Sequence, residues 1–296
     1  MSAPRVVVVA KRTAYQRFIE DERDPRAKLL LRRRAPVVAS WLDAHGEHSR
    51  TVDEVERALE RAGAKMMLVR RAHAAFDASD AALVIAVGGD GTLLAASHNV
   101  SDTPILGVNS APRHSVGFFC ALERKTFRRG LAAALEERLP SVELTRMSVL
   151  VNGRIRSNRI LNDALCAHSS PAATSRYIIQ HGRVREEQRS SGFWIGPAAG
   201  STAAQSSAGG RVLPLGSKKL QLVVREPYVP AGERYRLVRV LVGPTESIRV
   251  ESKMDDACVF LDGPYRQVPV RLGDELTFRA SDEPLLLLGL KERRRR

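Results

Sequence analysis

Aromatic residues make up only 5% of this chain, and no basic stretch interleaves with them. That removes the stacking platforms single-stranded nucleic acid needs, so no specific nucleic-acid partner is expected. Cysteine is scarce as well: Cys120, Cys166 and Cys258 are odd in number, widely spaced and free of any CxxC pair. This excludes a disulfide frame and a cysteine zinc site, and fits reduced, buried thiols. Long apolar runs are missing; those at residues 6–10, 82–87 and 285–288 have the length of strands, so no membrane partner is expected. The N-terminal apolar run is cut at once by Lys11 and Arg12, unlike a signal region, and the chain is expected in the cytoplasm. A Walker-type Gly-Lys-Ser/Thr is also lacking, which excludes the lysine cradle of those nucleotide enzymes.

What is present suits a globular protein with ample core: 296 residues, 44% of them hydrophobic. The formal charge is +14, of which the tail at residues 291–296 carries +4, leaving +10 for the body. Such a balance suits polyanionic ligands such as nucleotides, and the tail itself reads as a solvated end.

The chain is organised around residues 82–94. Six apolar residues, Ala82 to Val87, read as a strand buried on both faces of a parallel sheet. The run stops at Gly88-Gly89-Asp90-Gly91, and Thr92 is expected to open a helix. Glycines there let a phosphate approach the main chain, and a helix N-terminus adds amides and a favourable dipole. Asp90 is the side chain at that spot able to hold a proton or a metal-bound water.

Periodicity around this stretch predicts a βα rhythm. Strands are expected at 5–10, 65–70, 82–87 and 104–108, with helices at 25–45, 52–61 and 125–139. Lys11, just past the first strand, reads as a surface lysine, with a phosphate contact as the alternative. After Pro140 short strands follow one another: 142–151, 155–161, 164–168, 175–180, 184–188, 219–225, 235–242, 247–250, 257–261 and 275–280. Asn152-Gly153 between two of them is a strong hairpin signal. The fold expected is therefore α/β, an N-terminal Rossmann-like parallel-sheet domain (1–140) followed by an antiparallel β-sandwich (141–280). Residues 281–296 form a segment returning to the first domain, then the basic tail.

Two later stretches carry chemistry. Asn162-Asp163 sets an amide beside a carboxylate at a strand end, able to read an adenine edge and a ribose hydroxyl. Residues 190–210 run from a short apolar strand into Gly200-Ser201-Thr202 and small helix formers, which suits close approach of a dinucleotide's backbone and phosphates.

These three motifs, in this order, resemble the NAD kinase family, most of all its plant-type NADH kinase branch. The resemblance spans residues 5–290 and implies phosphoryl transfer to the 2′-hydroxyl of the adenosine ribose of NAD or NADH. It further implies ATP, or polyphosphate, as donor, Mg²⁺ as cofactor, and a homodimer or homotetramer. By motif, Asp90 resembles the catalytic carboxylate, and Gly88, Gly89, Gly91 and Thr92 the phosphate-facing loop. Gly117-Phe118-Phe119 resembles the segment near adenine, with Phe119 as the contact. Asn162, Asp163, Thr202, Ala203 and Ser207 resemble the dinucleotide contacts, and Asp262 a turn at the nicotinamide end. No side chains are assigned as metal ligands. Asp163 replaces the usual Glu, Ala204 the usual Tyr, and Ser191 an Asp, while the segment from Asn109 to Gly117 is longer than the common pattern. The loss of the anion at Ser191 predicts good acceptance of NADH. The alternatives are a lipid kinase of the diacylglycerol type, which shares the glycine motif but follows it with Asn-Glu where Leu93-Leu94 stand here, and a non-catalytic dinucleotide sensor.

Overall fold

A computed structural model describes residues 3–290, which form two compact units: residues 3–142 with 286–290, and residues 143–285. In the first unit β1 (Arg5–Ala10) is a run of β-branched residues buried on both faces. It is followed by α1 (Pro25–Arg32), α2 (Trp41–Arg61), β2 (Lys65–Val69), β3 (Leu83–Gly88) and α3 (Asp90–Ser97). Then come β4 (Ile105–Asn109), β5 (Cys120–Glu123), α4 (Arg124–Leu135) and β6 (Ser141–Leu144). The sheet order is β2-β1-β3-β4, then segment Leu285–Leu288, then β6, with β5 beside β4. Strands β2, β1, β3 and β4 pair in parallel, Ala10 lying opposite Val87. Because the chain passes from β2 back across β1 to β3, the carboxyl ends of β1 and β3 frame the topological switch point where such sheets bind ligands.

Three expectations change here. The helix expected at 25–45 is broken: Ala35, held extended before Pro36, ends α1 and leads to a single 3₁₀ turn. The second expected helix then begins eleven residues earlier, at Trp41, and runs through Gly46. Its buried His48, Thr51, Val52, Val55, Ala58 and Leu59 form one stripe, whose burial outweighs the cost of the glycine. Helix α3 opens at Asp90 rather than Thr92, since Gly89 is already extended and occupies the cap position.

The second unit begins by dividing the strand expected at 142–151. The chain breaks at Thr145-Arg146, and β7 (Met147–Val151) starts a new sheet. At this break Arg146 is fully buried, its guanidinium donating to the carbonyls of Glu283 and Pro284. Strand β8 (Arg154–Ile160) returns through Asn152 and Gly153, both left-handed, as a hairpin turn of this length requires. Then come β9 (Ala164–His168), β10 (Ser175–His181), β11 (Val184–Ser190), β12 (Phe193–Pro197), α5 (Ala204–Ser207), β13 (Leu220–Val224) and β14 (Arg239–Val242). β15 (Ser247–Ser252), β16 (Ala257–Leu261), β17 (Arg266–Val270), β18 (Glu275–Ala280) and β19 (Leu285–Leu288) complete the chain.

Two six-stranded antiparallel sheets result, ordered β11-β10-β15-β18-β7-β8 and β14-β13-β12-β9-β16-β17. Their inner faces share one core, in which Phe193 of the second sheet meets Tyr177 and Phe278 of the first edge-on, at 5.1 and 5.8 Å between centroids. This is the α/β plus β-sandwich fold expected. Strand β17 was not expected, because Pro269 interrupts its pattern; it is an edge strand, where proline is tolerated.

Candidate active site

In the first unit the glycine loop joins β3 to α3. A Cβ on Gly88 would fall 2.0 Å from Thr92 Oγ1 and 2.6 Å from Thr92 Cβ, so this glycine is required by packing, whereas one on Gly89 would fall 2.3 Å from Ser115 Oγ, which would have to turn away. Gly91 is different: nothing lies within 4 Å of the Cβ it lacks, and it is exposed, leaving open space over the first turn of α3. Thr92 is buried under Gly88 and serves the loop's packing.

Asp90 is half-buried as the first residue of α3, and its Oδ1 accepts the Phe119 amide at 2.8 Å. That amide fixes the carboxylate's orientation without engaging its second oxygen. Phe119 therefore touches Asp90 through its backbone. Its ring is buried, at 3% exposure, in edge-on contact with the half-buried ring of Phe118 at 5.0 Å. The lengthened segment before it is pinned by Asn109, whose amide donates to Ser115 O (3.0 Å) and accepts from Ala111 N (3.3 Å). Gly117, left-handed at φ +63°, packs against the same Asn109 side chain.

In the second unit Asn162 and Asp163 follow β8. The Asn162 amide donates to Asp163 Oδ2 at 3.0 Å. Asp262, at the left-handed turn after β16, accepts the backbone amides of Leu161 (2.9 Å), Asn162 (2.7 Å) and Asp163 (3.1 Å). It is a clasp that shapes the Asn162-Asp163 segment. Asp163 is buried, and desolvation, with the neighbouring Asp262 charge second, raises its pKa to about 7.

Gly196 and Gly200 give this segment its room. A Cβ on Gly200 would lie 1.6 Å from Asn162 O, and one on Gly196 2.5 Å from the same atom. Two buried glutamines, absent from the sequence expectations, complete the support. Gln205 donates to Asn162 O at 3.4 Å and accepts from Gln221, which also bridges the Arg211 backbone. Gln205 stands among small residues and Gln221 inside the apolar strand β13, and neither belongs to a contiguous motif that would single it out. Ser201 is likewise internal, bonded to Ala198 O and Leu213 N. Thr202 and Ser207 are exposed and Ala203 half-buried. The helix expected here is only a 3₁₀ turn, Ala198–Thr202, and a four-residue α5, too short to supply a strong dipole. Ser191 is half-buried, with its amide on Arg225 O at 3.0 Å, and the Arg225 guanidinium lies 5.9 Å from the Trp194 ring centre.

Residues 10–139 match the family model described as the ATP-NAD kinase N-terminal domain. A rice (Oryza sativa subsp. japonica) protein named "Probable NADH kinase" is 35% identical over 280 residues, covering 87% of this chain and 86% of its own length. The chain belongs to the NAD kinase family. The NADH kinase of Arabidopsis thaliana is 33% identical over 279 residues, covering 85% of this chain and 86% of its own length. Among solved structures, an Archaeoglobus fulgidus NAD kinase in complex with ATP aligns with TM-score 0.67 at 21% identity, covering 96% of this chain and 92% of that one. Yeast NADH kinase complexed with NADH aligns with TM-score 0.68 at 13% identity, covering 99% and 85%. The fold shared with these NAD kinases is that of a phosphotransferase family.

Proposed function

We propose that this chain is an NAD(H) kinase, transferring a phosphoryl group from ATP to the 2′-hydroxyl of the adenosine ribose of NAD or NADH. The observation that carries the reading is the oriented Asp90 carboxylate at the mouth of a glycine loop whose outer glycine faces open space. The hydroxyl oxygen attacks the terminal phosphorus, the bond to the bridging oxygen breaks, and Asp90 aligns the hydroxyl or takes its proton. Positioning and charge compensation supply most of the acceleration in such transfers.

No group of three or more metal-ligating side chains occurs among the described residues. Mg²⁺ is commonly held by substrate phosphates and one or two carboxylates; Asp90 is the carboxylate that would hold it here. When bound, the ion neutralises charge on the phosphates.

Asn162 would read the adenine edge, and Asp163 a ribose hydroxyl. Thr202, Ala203 and Ser207 would contact the dinucleotide backbone, with Phe118 offering the half-open ring beside the buried Phe119. The names of the plant relatives support NADH as a good substrate, in line with the uncharged Ser191. The reading also takes the enzyme as a cytoplasmic homo-oligomer able to draw on ATP or polyphosphate. Incubating the purified chain with ATP, Mg²⁺ and NAD or NADH should yield NADP or NADPH; failure with both dinucleotides would overturn it.

A further inference from the structure

One cation of the first unit is left over by this account. Lys11 stands directly after β1, and its amide donates to Val87 O at 3.0 Å, tying it to the residue before the glycine loop. Since Ala10 pairs with Val87, Lys11 lies level with Gly88 on the neighbouring strand, about 5 Å away across the sheet. Its side chain lines a cavity of about 310 Å³ at the carboxyl ends of β1 and β2, with α2 as one wall. Arg12, Arg70 and Arg71 share that lining, with Glu20, Asp21, Asp53 and His48.

The cations differ in availability. Arg12 is engaged by Asp21 at 2.6 Å, and Arg70 lies 3.9 Å from Glu56. Neither Lys11 nor Arg71 takes part in any of the ion pairs found among the described residues. Burial depresses the Lys11 pKa, with the charge of Glu47 opposing that shift. His48, bonded to Ser110 Oγ at 2.9 Å, is lowered to about 4 by burial first and by the Lys11 charge second. It stays neutral at physiological pH. A half-desolvated ammonium beside a neutral imidazole, with Glu47 acting on it through its charge but not in an ion pair, is stabilised by an incoming anion.

We propose that this cavity receives the polyphosphate chain of the phosphoryl donor, with Lys11 as the contact that holds it. The chain would run along the carboxyl edge of the sheet from the open space over Gly91, past Lys11, toward Arg71. Phosphates spaced along one or two strand widths, about 5–10 Å, match that path. The proposal rests on the kinase reading. It names the shared chemistry of ATP and inorganic polyphosphate, and separate arms of the test distinguish them.

The variants are Lys11→Gln, Lys11→Arg and Arg71→Gln, each checked for an unchanged melting temperature. With ATP as donor, Lys11→Gln should lower kcat/KM for ATP by about tenfold or more through KM. The KM for NAD or NADH should stay within about twofold, and Lys11→Arg should restore most of the loss. Tripolyphosphate should compete with ATP, less strongly against Lys11→Gln; offered as donor, it shows whether polyphosphate can replace ATP. Wild-type ATP kinetics in a folded Lys11→Gln would overturn the proposal, as would equal losses for ATP and dinucleotide that Lys11→Arg does not rescue. A wild-type chain that phosphorylates neither dinucleotide would sink the kinase reading instead. Calorimetric titration with tripolyphosphate, wild type against Lys11→Gln, would then still decide whether the cavity binds the anion.

Discussion

The side chains that matter here act through very different partners, and their variants should separate accordingly. Asp90 has one oxygen fixed by the Phe119 amide, so Asp90→Asn keeps the shape and removes the proton acceptor. Turnover should fall by about a hundred-fold or more while dinucleotide binding persists; steady-state rates beside a binding titration check this, and a near-normal rate removes Asp90 from the chemistry. Asp163, buried beside Asp262, holds its proton to about pH 7, against an ordinary value of 3.8. Between these two pH values the folded state binds more protons than the unfolded one, so this group makes stability fall as pH rises from about 4 to about 7. The slope approaches about 1.4 kcal/mol per pH unit at most. Urea unfolding at pH 5 and pH 8 should show a smaller difference in Asp163→Asn than in wild type, and an equal difference would mean Asp163 does not titrate there. By the motif resemblance, Ser191 takes the place of an Asp. A carboxylate about 5 Å from the cationic nicotinamide would favour the oxidised form by about 1–3 kcal/mol at an effective dielectric of about 20 to 60. Ser191→Asp should therefore move the ratio of specificity constants toward NAD by about tenfold; an unchanged ratio places the discrimination elsewhere, for example at Ala204. At this scale the sequence displays Asp90, Asn162 and Asp163 because their motifs are contiguous. It hides the clasp made by Asp262, ninety-nine residues from Asp163, and the use of the Phe119 amide in place of its ring, since both depend on how distant segments meet.

Elements were legible where one physical signal dominated. The all-apolar β3 and β16, the Asn152-Gly153 hairpin and the alternating β18 lie where the sequence pattern predicts them. They were obscured where tertiary contacts override local pattern: α2 continues through Gly46 because its buried stripe holds it, and residues 142–151 divide where buried Arg146 takes up the carbonyls of Glu283 and Pro284. The glycines of the two site segments show the same distinction between packing and access. Gly91→Ala meets nothing within 4 Å and lies in the first turn of α3, so it should fold at least as well as wild type. If phosphates pass over that turn, the KM for ATP should rise while the melting temperature holds. Gly200→Ala places a methyl group 1.6 Å from Asn162 O and must push the Asn162-Asp163 segment away. It should lose melting temperature and dinucleotide affinity together, with the ATP constant least affected. Measuring both constants and both melting curves tests the pair. A Gly91→Ala that keeps wild-type ATP kinetics would show that the open space over α3 is not the donor's path.

For the whole molecule, the change of grammar near Pro140, from long helical periods to short alternating strands, is what made an α/β unit followed by a β-sandwich readable. Neither the order of the strands nor the pairing of segment Leu285–Leu288 with β4 could be read, because β19 reaches its partner from 182 residues further along the chain. Net charge is a property of the same scale and is fully legible: +14 overall, with +4 of it in residues 291–296, which lie outside the described residues. ATP and the dinucleotides are anions, so the body's positive field should speed their arrival at low salt. A cluster of charges at one chain end acts on them only within a Debye length, about 8 Å at physiological ionic strength. Deleting residues 293–296 removes four cations. It should leave kcat and both KM values unchanged at physiological salt, while weakening adsorption to a polyanion such as duplex DNA. Since each phosphate neutralised contributes a slope of about −0.9, the plot of log binding constant against log salt should flatten by up to about 3.6. A truncation that loses turnover would make the tail part of the active site, and one that leaves the salt slope unchanged would assign polyanion adsorption to the folded body alone.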